Sequence, residues 1–256
     1  MASLVLSNVV EVKMKQSDID ALAHQHTLAV LAIGRNFEAI SKDMIERRGT
    51  WAGAEGVDVL TSLLGSETLP HDTAQHVARA AHLGERLPSI VKLFTPGQKK
   101  IISAVEHRII GTDADGAIKA LRELQAMAKR GSDLELIFKI ATAIVADGKQ
   151  QLYEPAAFAK LTGLDGREGN VATARSSAGE VLADDVAGAV VGGLAGAVAT
   201  WWAGSGPGAA GGAIGGAIMF SGKALWENAK IWWDGVHHGE NDPAGPIGGE
   251  HLPDEI

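Results

Sequence analysis

The chain has 256 residues, room for one large domain or two smaller ones, and its 21% charged and 46% hydrophobic side chains exclude wholesale disorder. Cysteine is absent, which excludes disulfides, thiolate catalysis and cysteine-based zinc sites. The formal charge of −8 arises entirely after residue 175, where 10 acidic side chains stand against Lys223 and Lys230; without a basic stripe to displace counterions, nucleic acid is not an expected partner.

Met1 to Leu6 offers neither a basic start nor a long apolar run, so no signal peptide is expected and export would use a leaderless route. Val10, Val12 and Met14 alternate with Glu11, Lys13 and Lys15, which predicts a short strand. Ser17 then reads as a helix cap, and Leu22, Leu28, Leu31, Ile33, Phe37, Ile40 and Ile45 predict one long helix to about Arg48. Further helices are expected over 54–64 and 72–83. Thr95-Pro96-Gly97-Gln98 has the form of a capping box and opens another, with Ile101, Ile102, Val105, Ile109 and Ile110 on its apolar face. Ala117 to Lys129 and a helix opened by Ser132-Asp133-Leu134-Glu135 complete an α-helical bundle over 1–162. Gly163, Gly166, Gly169 and Gly179 predict a linker over 163–180. A helical hairpin is expected over 181–234, and an acidic disordered tail over 235–256. The expected fold class is therefore all-α, with the bundle followed by the hairpin.

The hairpin carries the functional signal. From Val186 to Gly222 there are 37 residues without a charge, 12 of them glycine. Gly188, Gly192, Gly196, Thr200 and Gly204 fall at four-residue steps. After Gly204-Ser205-Gly206-Pro207-Gly208, the step resumes as Gly208, Gly212 and Gly216, with Gly211 and Gly215 beside it. That step keeps one helix face smooth, so another backbone can approach closely. Glycine costs a helix about 1 kcal/mol relative to alanine, so its repeated use implies a need for that approach. The arms, Val186 to Ala203 and about Ala209 to Trp226, would each be about 27 Å long, just enough for a hydrocarbon core of about 30 Å. Trp201 and Trp202 at the turn, and Trp226, Trp232 and Trp233 at the other end, are expected to anchor opposite interfaces. Asp184 and Asp185 stand where the charge-free run begins, and their neutralisation is the expected insertion switch. The arms are rich in alanine and poor in large aliphatic residues, which suits a protein that is soluble first and enters a bilayer later.

These spaced glycines and the charge-free hairpin resemble the glycine-zipper segments of membrane-active bacterial toxins, including type VI effectors and small bacteriocins. The helix–turn–helix layout is similar to the hydrophobic hairpin of pore-forming colicins, though richer in glycine. The resemblance covers about 186–222 and implies a secreted antibacterial effector that permeabilises a target membrane, with an immunity protein as partner. Glycine faces packing between copies would give an oligomer, and the bundle would serve loading onto a secretion apparatus or chaperone. Leu or Ile at Gly192 and Gly212 is then expected to abolish toxicity and leave expression intact. The alternative is a non-enzymatic interaction or structural protein whose Gly/Ala hairpin is buried.

No catalytic residue, metal or cofactor is expected. His24 and His26 diverge by about 200° on a helix and cannot share an ion; His71 and His76 also diverge. His237, His238, Glu240, Asp242 and His251 read as solvated tail residues. Asp113-Ala114-Asp115-Gly116 fails as a calcium loop because its twelfth position would be Arg122, and it reads instead as an acidic helix start. No nucleophile elbow, phosphate loop, dinucleotide fingerprint or His-Glu-x-x-His occurs.

Overall fold

A computed structural model describes residues 14–48, 56–66, 69–162, 170–199 and 205–237, and every regular element among them is an α-helix. In chain order these are α1 (Gln16–Arg35), α2 (Phe37–Arg48), α3 (Gly56–Gly65), α4 (His71–Val91) and α5 (Pro96–Ile109). They continue as α6 (Ala114–Met127), α7 (Asp133–Gly148), α8 (Pro155–Thr162), α9 (Asn170–Ala199) and α10 (Ser205–His237). The expected strand falls on residues 1–13, outside the described residues, apart from Met14 and Lys15, which carry no regular structure. The expected tail also lies outside them from residue 238 onward.

Helix starts follow the local chemistry. At α5 the Gln98 N–H donates to Thr95 Oγ1 at 3.2 Å, and the Thr95 N–H donates to Gln98 Oε1 at 2.8 Å, closing the capping box. Asp113 caps α6 by accepting from the Gly116 N–H at 2.8 Å, and Asp115 follows in the first turn. Ser132 caps α7 through the Glu135 N–H at 3.3 Å. Each such cap is worth about 1 kcal/mol.

Four boundaries differ from expectation. The long first helix is two helices that meet at Asn36, whose side-chain amide and backbone N–H both donate to the Ala32 carbonyl, at 2.9 and 3.0 Å. Ser17 lies within the first turn of α1 and does not cap it; the cap position is Lys15, with no side-chain bond. Gly84 does not stop α4, which runs on through Pro88 to Val91. A Cβ on Gly84 would lie 2.6 Å from Val57 and 2.7 Å from Met219 Sδ, so this glycine serves the close approach of α3 and α10. Finally, α9 begins at Asn170, so helix reaches back into the expected linker; the short α8 precedes it.

The hairpin forms the centre of the molecule. Its arms, α9 and α10, make the most extensive helix–helix interface. Around them, α4, α5, α7 and α8 pack on α9, while α1, α3, α4 and α7 pack on α10. Val190, Leu194, Ile214 and Ile218 from the arms share one core with Leu60, Leu63, Ile137, Ile140 and Ile144 from the surrounding helices. The shell helices turn an apolar stripe inward; α6 buries Ala114, Ala117, Leu121 and Leu124 and leaves its charged face to solvent.

Candidate functional site

The four-residue glycine rows of the two arms meet each other. Gly188 faces Gly216, Gly192 faces Gly212 and Gly196 faces Gly208, an antiparallel register. A Cβ at Gly188, Gly192 or Gly196 would lie 2.5, 2.1 or 2.0 Å from the carbonyl oxygen opposite; at Gly212 or Gly216 the distance would be 2.1 Å. Backbone therefore lies on backbone, and no side chain larger than hydrogen fits between. The expected test with Leu or Ile at Gly192 and Gly212 changes meaning accordingly, because those side chains break this folded pair before any membrane is met. The neighbouring row is used differently. Gly215 lies against the Ala80 backbone of α4, with 3.4 Å to an added Cβ, whereas Gly211 has open space. Gly204, Trp201 and Trp202 lie outside the described residues.

Asp184 and Asp185 diverge. Asp185 is fully buried. Its Oδ2 accepts from the Tyr153 hydroxyl, and its Oδ1 lies 3.1 Å from His26 Nε2. The same nitrogen lies 3.3 Å from Ser221 Oγ, and that hydroxyl donates to the Ala217 carbonyl at 2.7 Å. Because the serine hydrogen is committed to Ala217, both groups facing His26 Nε2 are acceptors. That nitrogen carries the hydrogen, and the donors around Asp185 suit a carboxylate. His26 Nδ1 is buried with no hydrogen-bond partner. Burial, followed by the charge of Asp185, pushes the Tyr153 hydroxyl well above its ordinary range and keeps it a donor. The four residues come from α1, the α7–α8 connection, α9 and α10, so the cluster ties the hairpin to the bundle. Although serine, histidine and aspartate meet here, the arrangement is not a relay triad. Asp185 and Ser221 address one ring nitrogen, where a relay needs the two opposite ones.

Asp184 is half-buried on the neighbouring face. Burial raises its pKa to about 6, helped by the charges of Asp185 and Glu180 and opposed by Lys223. Lys223 itself is exposed. A cleft of about 730 Å³ lies beside the cluster, between the α5–α6 connection, the α7–α8 connection and the first half of α9; Tyr153 and Leu182 are among the residues lining it.

Trp226 is fully buried and meets the Phe37 ring at a centroid distance of 5.3 Å and a tilt of 50°. In this state it is a core residue, and an interfacial role would require its withdrawal from Phe37. The side chains of Trp232 and Trp233 lie outside the described set, although their backbone belongs to α10. Ala178–Ala199 is long and apolar enough to cross a membrane, but it contains Glu180, Asp184 and Asp185 and is mostly buried in the protein. A core helix passes the same test of length and composition. His24 stands 3.5 Å from Asp147 and away from buried His26, as their helical spacing requires. Among the described residues no group of three or more His, Asp or Glu side chains is placed to hold a metal.

Sequence reasoning missed His26, Tyr153 and Ser221. A signal for His26 was present: Ile19, Ala23, Val30 and Ile33 set the buried face of α1, and His26 falls on it. Tyr153, the chain's single tyrosine, and Ser221, inside the charge-free run, have no comparable local signature. Comparison with protein-family models, with curated proteins and with solved structures finds no match for this chain.

Proposed function

We propose that this protein permeabilises membranes by releasing the α9–α10 hairpin from the bundle and inserting it into a lipid bilayer. The observation that carries this reading is the closed glycine pairing within a charge-free hairpin. The two arms hold each other backbone to backbone, so they can leave the bundle as one unit without first finding a partner. Its outer surface, once freed, offers Val190, Leu194, Ile214 and Ile218 to lipid. Lipid is as apolar as the core they leave. Asp184 and Asp185, at the entrance of the run, must be neutralised or left at the interface, because a charge at the bilayer centre is costly. Such a protein fits the setting of a secreted antibacterial effector, in which an immunity protein guards the producer. Copies would then associate through faces other than the paired glycine rows.

The burial of the hairpin supports a second reading, in which α9 and α10 are simply the core of a soluble interaction protein. A reversible tether separates the two. Cysteines in place of Ala80 and Gly215, in a chain otherwise free of cysteine, would join α4 to α10 where the backbones lie close. Dye release from phosphatidylcholine/phosphatidylglycerol vesicles is measured at neutral and acidic pH, with the tether oxidised and reduced. Release only after reduction supports insertion. Absence of release in every condition, from a protein that stays a folded monomer, establishes the second reading instead.

A further inference from the structure

We propose that the Tyr153–Asp185–His26–Ser221 cluster is the autoinhibitory latch that keeps the hairpin in the bundle. The inference rests on the membrane reading above and concerns what holds the stored state. An environment can shift the hairpin's position only through interactions that differ between the two places. Apolar packing differs little, since lipid tails replace the shell helices with similar surroundings. The glycine pairing lies inside the hairpin and travels with it. Ser221 keeps its bond to the Ala217 carbonyl in either place, because both residues belong to α10. What lipid cannot supply is the pair of donors on the Asp185 carboxylate, the Tyr153 hydroxyl and His26 Nε2–H. Both come from outside the hairpin, one from the α7–α8 connection and one from α1. Losing donors to a buried charge costs more than losing a neutral hydrogen bond, so this carboxylate gives the hairpin a strong preference for the bundle.

Geometry explains why the latch sits where it does. The Tyr153 ring packs on Gly148, where an added Cβ would lie 2.8 Å from it, so the last turn of α7 fixes the direction of the hydroxyl. Asp185 immediately precedes the charge-free run and carries the last charge along α9. A tie at that point holds the base of the first arm. His26, meeting Asp185 in α9 and Ser221 in α10 through one nitrogen, ties both arms at once.

Tyr153→Phe removes one donor and keeps the ring on Gly148, and Asp185→Asn removes the charge that lipid rejects. The latch predicts faster dye release from the same vesicles for both, by roughly tenfold for Tyr153→Phe, the worth of one hydrogen bond to a charged group. Amide hydrogen exchange on the folded variants supplies a readout that general destabilisation would not give. The latch predicts acceleration confined to α9 and α10, with α6 unchanged. Uniform acceleration across all helices would overturn it and leave Tyr153 a structural residue. If the reduced tethered protein releases dye but neither variant releases it faster, the latch is wrong and the membrane reading stands. If nothing releases dye, including Asp185→Asn, both fall together.

Discussion

The shell helix α6 and the central helix α9 solve the same packing problem by opposite means. In α6 the buried Ala114, Ala117, Leu121 and Leu124 recur at helical spacing, so periodicity alone states which face turns inward. In α9, Val186 and every residue from Gly188 to Gly196 are buried, and no stripe exists there to orient the helix. Its rotation is set by where side chains are missing, at Gly188, Gly192 and Gly196, and by where Asp185 finds its donors. A helix with an amphipathic pattern is held by the amount of apolar surface it covers. A helix apolar all round is held by sterics and by its few polar atoms.

That contrast can be broken most severely at the glycine pairing. Gly212→Ile would push a side chain into the Gly192 carbonyl, and a loss of roughly 4 kcal/mol or more is expected, seen as an insoluble protein or a collapsed urea midpoint. A variant that folds with unchanged stability would refute the backbone-to-backbone contact. In the shell, Leu121→Ala leaves a cavity under a fully buried leucine and should cost about 2–5 kcal/mol by the same measurement, without steric clash. Both lose stability, but only the second should be partly restored by a larger apolar residue such as methionine.

A smaller effect tests the polar side of the contrast. The pKa of Asp184 is raised from 3.8 to about 6, so the folded state holds its proton more tightly than the unfolded chain does. Its ionisation therefore weakens the fold above about pH 6, and the stability lost there returns as the pH falls toward 3.8. Asp184→Asn should melt higher than the parent at pH 7.5, a pH chosen above the window, and the gap should close by about pH 4. A gap that widens on acidification would reverse the assignment. Acid thus tightens the stored state at Asp184 while making the same residue easier to pass into lipid, and the two effects can be separated by melting and by vesicle leakage. The smallest change is expected at Gly211→Ala, where open space surrounds the new methyl group. A gain of about 0.5–1 kcal/mol there, beside the collapse at Gly212, would show that adjacent glycines serve different ends.

Much of this was legible in the chain. The caps at Thr95, Asp113 and Ser132 are local events, decided by a side chain and a backbone N–H three residues away, and sequence states them directly. The charge-free run with glycines four apart likewise announces two helices that must approach a backbone closely. Sequence does not say whose backbone, since a smooth face suits a sister arm, a shell helix or another copy equally well. Only the tertiary structure pairs Gly188, Gly192 and Gly196 with Gly216, Gly212 and Gly208, assigns Gly215 to α4 and leaves Gly211 open. The same holds for Asp185. Its place beside the apolar run is written in the sequence, but its partners His26 and Tyr153 lie 159 and 32 positions away along the chain. Hydrogen bonds over such separations leave no local pattern, because what brings the groups together is the packing of every helix between them.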